Sequence, residues 1–216
     1  MSGPEIDSQT FYTERVPAQF NRTFAEQETL AGGDEAAARL LAGMRSVNAT
    51  IGILVRGEDA DRSYFLNIEA GRMKAGDAPS HSPFMTLEHD VASLATLQRE
   101  SGDSVLGFLG ALAGMQEDMK LTSQRIQNLC GLAGALAFEL TGTDPLSVTA
   151  HFGAEPTAGA SGPEAPACSI RIDAGAYADL RSGALAPQDA FMGGQIEVEG
   201  DMQMAMQLAL AALSPE

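Results

Sequence analysis

The sequence predicts an α+β fold written twice in tandem. Three observations point there. First, the end of the chain repeats its middle: residues 90–124 align with 173–207 without a gap, at a shift of about 83 positions. Asp90 falls on Asp173, Ala95 on Ala178, Leu97 on Leu180, Phe108-Leu109-Gly110 on Phe191-Met192-Gly193, Asp118-Met119 on Asp201-Met202 and Gln124 on Gln207. A repeat of this length is too long for a solenoid unit and long enough for a small domain. Second, each copy reads as a run of strands followed by helices. Third, 44% of the 216 residues are hydrophobic and 19% are charged, which is enough apolar material for a core and argues against global disorder.

The first copy is preceded by a stretch, 1–16, that reads as a flexible leader, and by helices over 17–45. Pro17 opens a helix, because its missing N–H is unpaired there anyway. Phe20, Phe24 and Gln27-Glu28 follow at helical spacing. Gly32-Gly33 breaks that helix, and Asp34 caps a second one through Ala36–Met44, striped by Leu40, Leu41 and Met44. The first unit is placed at 46–131. Residues 49–56 are a strand rich in β-branched side chains, a turn follows, and Arg62–Ile68 is the hairpin partner. A third short strand runs through 69–76. Phe84–Leu87 is a fourth. Asp90 caps a helix over Val91–Glu100, a second helix spans about 104–115, and Asp118–Leu129 closes the unit.

The second unit is placed at 132–216. Gly134–Leu140 and Leu146–Phe152 form a hairpin around Thr141–Pro145. Residues 153–167, rich in Ala, Gly, Pro and Thr, are a loop inside the repeat. Cys168–Ile172 alternates as a strand. Asp173 caps the helix Ala174–Arg181, Ser182-Gly183 ends it, and Pro187 opens the helix Gln188–Met192. Gly193-Gly194 leads into a strand over Gln195–Glu199. Gly200 breaks the strand, and Asp201 caps a last helix, Met202–Leu213. The first unit reads as helical where the second inserts that strand, so the copies have diverged.

The order Asp173, Ser182-Gly183, Phe191-Met192-Gly193-Gly194, Gln195–Glu199 and Gly200-Asp201-Met202 resembles the C-terminal half of the sterol carrier protein type 2, or non-specific lipid-transfer, family. The first unit keeps Asp90, Phe108-Leu109-Gly110 and Asp118-Met119 but lacks the glycine before Asp118. The resemblance implies two tandem units of this fold over about 45–213, each a mixed sheet covered on one face by helices, with the second unit closer to type. It also implies an apolar tunnel between sheet and helices that holds a sterol, fatty acyl chain or similar lipid. Phe138, Ile170, Phe191, Met192, Ile196, Val198, Met202, Met206 and Leu208 would line it in the second unit, and Phe108 and Leu109 in the first. The closing helix supports this from its own composition, since methionines among small alanines adapt to varied guests.

Other chemistries find little support. The net charge is −16, with only 13 Lys and Arg, so no basic stripe exists for nucleic acid or an anionic membrane. No apolar run reaches the ~18 residues of a membrane span. Cys130 and Cys168 form no CxxC motif and read as buried free thiols in a reducing, cytoplasmic setting. His81, His89 and His151 do not converge by spacing, so no metal is expected. No nucleophile elbow or phosphate loop is present, and no cofactor is expected. Arg72, Lys74 and Arg125 stand out among few cations and are expected to pair with surface acids. The expectation is therefore a non-enzymatic carrier of a hydrophobic small molecule, with self-association left open. The competing readings are an interaction protein reusing the fold as an intramolecular pseudo-dimer and, behind it, an enzyme acting on a lipid-like substrate.

Overall fold

The computed structural model describes residues 7–57, 60–104, 107, 119–153 and 166–213. Its centre is one eight-stranded sheet in the order β3-β2-β1-β4-β6-β5-β7-β8. The strands are β1 Ala49–Arg56, β2 Arg62–Glu69, β3 Arg72–Gly76, β4 Pro83–Asp90, β5 Gly134–Thr141, β6 Leu146–Phe152, β7 Cys168–Asp173 and β8 Ile196–Gly200. The two halves share a pairing rule. β1 is antiparallel to β2 and parallel to β4, while β5 is antiparallel to β6 and parallel to β7.

The halves therefore do not own separate sheets. β4 of the first half pairs antiparallel with β6 of the second, Leu87 opposite Ala150 and His89 opposite Val148. β8 flanks β7, and the corresponding place beside β4 is taken by β6. β3 flanks β2, and the corresponding place beside β6 is taken by β4. Each half thus fills a strand position of the other.

Side chains alternate across a sheet, so the registers assign each residue to a face. One rung runs Val55–His89–Val148–Phe138–Ile170–Val198 across six strands. The next runs Tyr64–Ile53–Leu87–Ala150–Leu136–Cys168. This inner face is apolar almost throughout and belongs to a single core cluster. The opposite face is polar. There Glu88 of β4 accepts from Arg56 Nε at 2.8 Å and meets His151 Nε2 of β6 at 2.8 Å, while Arg56 also meets Asp61. Glu88 is buried, so this network ties the two halves on the outer side.

Helices cover the inner face. A continuous helical segment runs through α1 Ser8–Thr10, a π-helical turn Phe11–Arg15 and α2 Val16–Leu30. It packs on β2 and β3 and is followed by α3 Glu35–Arg45. The stretch read from sequence as a flexible leader is thus helical from Ser8 onward, because Phe11, Tyr12 and Val16 are buried against the sheet. Asn21 seals the β3 edge, its side chain accepting from Met73 N and donating to Met73 O, both at 2.9 Å. At the β2–β3 turn Gly71 has φ +75°, and a Cβ there would run into the Phe24 ring and the Met44 carbonyl, so only glycine lets α2 and α3 settle on the turn.

The remaining helices are α4 Ser93–Ser101, α5 Ser123–Cys130, α6 Ala174–Ser182, α7 Pro187–Met192 and α8 Met202–Leu213. The sequence starts the helix before β5 at Asp118. It begins instead at Ser123, with Thr122 Oγ1 accepting from Arg125 N, while Met119 and Leu121 are buried ahead of it in non-helical backbone. α5 precedes β5 as α3 precedes β1. Most of the helix expected over 104–115 and most of the loop expected over 153–167 lie outside the described residues. Cys168 is buried, but Cys130, expected to be buried, is exposed at the end of α5.

Candidate functional site

In the second half, three caps set the helices over the inner face. Asp173 accepts from Gly175 N at 2.8 Å and starts α6, and Gly183, with φ +74°, ends it. Pro187 starts α7 in the first turn. Asp201 accepts from Met204 N at 3.1 Å and starts α8. Gly200 before it has φ +85°, and a Cβ there would collide with the Ala167 carbonyl, which instead accepts from Asp201 N at 2.8 Å. The Gly-Asp-Met motif is thus a backbone device that turns the chain from β8 back over the sheet.

The expected lining residues divide into two sets. Phe138, Ile170, Ile196 and Leu208 are buried, and Val198 packs against the same core from a partly buried position. All except Leu208 stand on the inner sheet face, and Leu208 lies on the inward side of α8 with Met204 and Ala211. Phe191, Met192, Met202 and Met206 are 48, 85, 42 and 61% exposed. They stand on the outer surface of α7 and α8. Phe108 and Leu109 lie outside the described residues.

The sequence reading passed over Tyr177 of α6. Its ring lies 5.9 Å from that of Phe138, and the residue is 1% exposed. Its hydroxyl has no hydrogen-bond partner. Burial pushes the phenol up to about 12, so it stays a neutral donor. A signal for it was present: Tyr177 aligns with Leu94 in the repeat, a polar atom gained at an apolar position.

In the first half the equivalent surface is filled. Tyr12 of the π-helical turn stacks near Tyr64 and His89, with ring centroids 5.4 and 5.8 Å away. His89 Nδ1 lies 2.7 Å from the Asp90 carbonyl, which can only accept, so Nδ1 carries the proton. His89 Nε2 then accepts from the Tyr12 hydroxyl at 2.6 Å. Burial lowers the His89 pKa and raises that of Tyr12, so both are neutral. Tyr64 and Ser8 pair through their hydroxyls at 2.9 Å. The signal for this segment was the aromatic pair Phe11-Tyr12 with Val16 one helical turn on. A void of about 30 Å³ remains under α2, lined by Val16, Phe20, Met44, Ile51, Met73 and Met119 among others. That is room for a water or two and not for an alkyl chain.

Two of the three cations singled out in the sequence, Arg72 and Arg125, are engaged. Arg72 donates to Glu28 at 2.8 Å and lies 4.6 Å over the Phe24 ring, and Arg125 donates to the Lys120 carbonyl at 2.6 Å. Among the described residues no group of His, Cys, Asp and Glu converges as a metal site. Among them, too, no helix is long and apolar enough to cross a membrane.

No curated protein matches the chain. Among solved structures it is similar to Sterol Carrier Protein 2 Like 2 from Aedes aegypti, at 16% identity over 51% of this chain and 95% of that one, with TM-score 0.31. It is also similar to Sterol Carrier Protein 2 from Yarrowia lipolytica, at 14% identity over 50% and 89%, TM-score 0.30. A third is the sterol carrier protein domain 2 of Helicoverpa armigera, at 20% identity over 56% and 86%, TM-score 0.27. The model of the SCP-2 sterol transfer family matches residues 116–212, a segment that begins ahead of residue 132 and takes in α5. Over residues 116–212, through α5 and nearly to the end of α8, the chain is thus similar to the SCP-2 sterol transfer family.

Proposed function

We propose that the chain binds a hydrophobic small molecule, a sterol, fatty acyl chain or similar lipid, between the inner sheet face and the helices α6 to α8 of the second half, without catalysis. The observation that carries this reading is the family match over a segment whose inner sheet face is an unbroken apolar rung, Val148–Phe138–Ile170–Val198. Such a surface recognises bulk and shape rather than polar groups. Phe138, Ile170, Ile196, Val198 and Leu208 are the residues assigned to the ligand. A reducing, cytoplasmic setting suits the two unpaired cysteines.

The first half is assigned a structural role. It shares its sheet with the second half, and its inner face is filled by Phe11, Tyr12 and Val16 of the same chain, as an intramolecular pseudo-dimer would be. Native mass spectrometry of the purified protein tests the carrier reading. One lipid-sized adduct per chain is expected, lost on replacing Ile170 by Trp. Absence of any co-purified or titratable lipid would overturn it.

A further inference from the structure

We infer that Tyr177 is the polar anchor of the second-half site, and that the molecule bound there is apolar with one uncharged hydrogen-bond acceptor, a hydroxyl or carbonyl, at the end that meets it. The inference rests on the carrier reading above and deepens it.

Buried hydroxyls are almost always paired, and each exception calls for a reason. The three tyrosines of the chain make the contrast. Tyr12 is satisfied by His89, and Tyr64 by Ser8. Tyr177 is as deeply buried as Tyr12 and has no partner. Among the described residues, two other buried side-chain atoms lack a hydrogen bond. One is Gln98 Nε2, on a partly buried residue, and the other is Asp103 Oδ1, which stands 2.8 Å from the Arg15 guanidinium and is ion-paired. Tyr177 is thus a fully buried donor held by packing against Phe138, on the element that covers the rung assigned to the ligand.

The chemistry of the acceptor follows from the surroundings. The phenol remains protonated, so it donates. Of the nearby charges, Arg181 and Glu100 act on it with opposite sign, and neither is hydrogen-bonded to it. An ionised headgroup would be desolvated there without compensation, whereas a neutral oxygen would satisfy the orphan donor. Specificity of this kind comes from the polar group that would otherwise be left unpaired.

The test uses three probes of equal chain length, 1-dodecanol, dodecane and dodecanoate, titrated into the full chain and into Tyr177→Phe, with unfolding of each free protein measured in parallel. The wild-type chain is expected to prefer dodecanol to both others by about tenfold. Tyr177→Phe is expected to bind dodecane unchanged and to reduce the dodecanol preference to within twofold, while the free variant is as stable as the wild type or more so. A structural role for the hydroxyl would instead lower stability and leave selectivity alone. Equal wild-type affinity for dodecanol and dodecane, a preference for dodecanoate, or a dodecanol preference surviving in Tyr177→Phe overturns the inference while leaving the carrier reading in place. Failure of all three probes to bind overturns both.

Discussion

The two halves of the sheet carry the same strand pairing and opposite solutions to the problem of a buried polar atom. In the first half the N-terminal helical segment lies on the inner face and pairs the buried hydroxyls: Tyr12 with His89, itself bonded to the Asp90 carbonyl, and Ser8 with Tyr64. In the second half α6 brings a hydroxyl into the same kind of surface and leaves it open. The difference teaches that two halves sharing one strand-pairing rule need not treat a buried hydroxyl alike. One half is covered by the N-terminal helical segment with its tyrosine paired, while the other retains an unmet bond.

The comparison can be broken most severely at Tyr12. Tyr12→Ala removes an aromatic ring from the sheet face and is expected to cost about 3–5 kcal/mol in denaturant unfolding. It should also raise binding of an apolar dye, because Tyr64 and His89 lose their cover. Glu88→Ala comes next. It leaves Arg56 and His151 without their shared carboxylate at the seam, and a loss of about 3 kcal/mol is expected by the same measurement.

The pH dependence comes third and arises in the first half. Burial places the folded His89 pKa below its ordinary 6.5. As pH falls below 6.5 the unfolded chain takes up a proton that the folded chain refuses. The stability held by neutral His89 is therefore fully present above pH 6.5 and declines as pH drops toward the folded value. His89→Gln should flatten that decline in a series of melts. The smallest effect is expected on the outer surface of the second half. Met202→Gln with Met206→Gln should change stability by less than about 0.5 kcal/mol, because both side chains are already exposed. A larger loss would place them in the core.

Much of this was legible in the sequence, and the exceptions share a cause. Elements whose start is written in local chemistry were readable: Asp173 and Asp201 as caps, Gly183 and Gly200 as breaks, and the β-branched run of β1. What local chemistry does not encode was missed. The joining of the halves into one sheet depends on Leu87 meeting Ala150, 63 positions along the chain, and no spacing announces it. The helix over Ser8–Arg15 is capped by Asp7 and held by the sheet beneath it, and the burial of Phe11 and Tyr12 that fixes it is not written in its polar N-terminal sequence, which read as a leader. At the site, periodicity identified apolar residues but not their direction. On α8, Met202 and Met206 form one stripe and Met204 and Leu208 the opposite one, and in a helix apolar all round only tertiary contact decides which faces inward. Tyr177 was visible only as a mismatch between the copies.

The central claim is that the buried tyrosine of the first half is paired within the chain and that of the second half is not. The same substitution made once in each half tests it most directly: Tyr12→Phe and Tyr177→Phe, compared by denaturant unfolding of the free protein. The account predicts that Tyr12→Phe costs about 1–3 kcal/mol, because His89 Nε2 loses its donor, and that Tyr177→Phe costs nothing or stabilises. Equal losses from the two, or a Tyr177→Phe loss as large as that predicted for Tyr12→Phe, would contradict it.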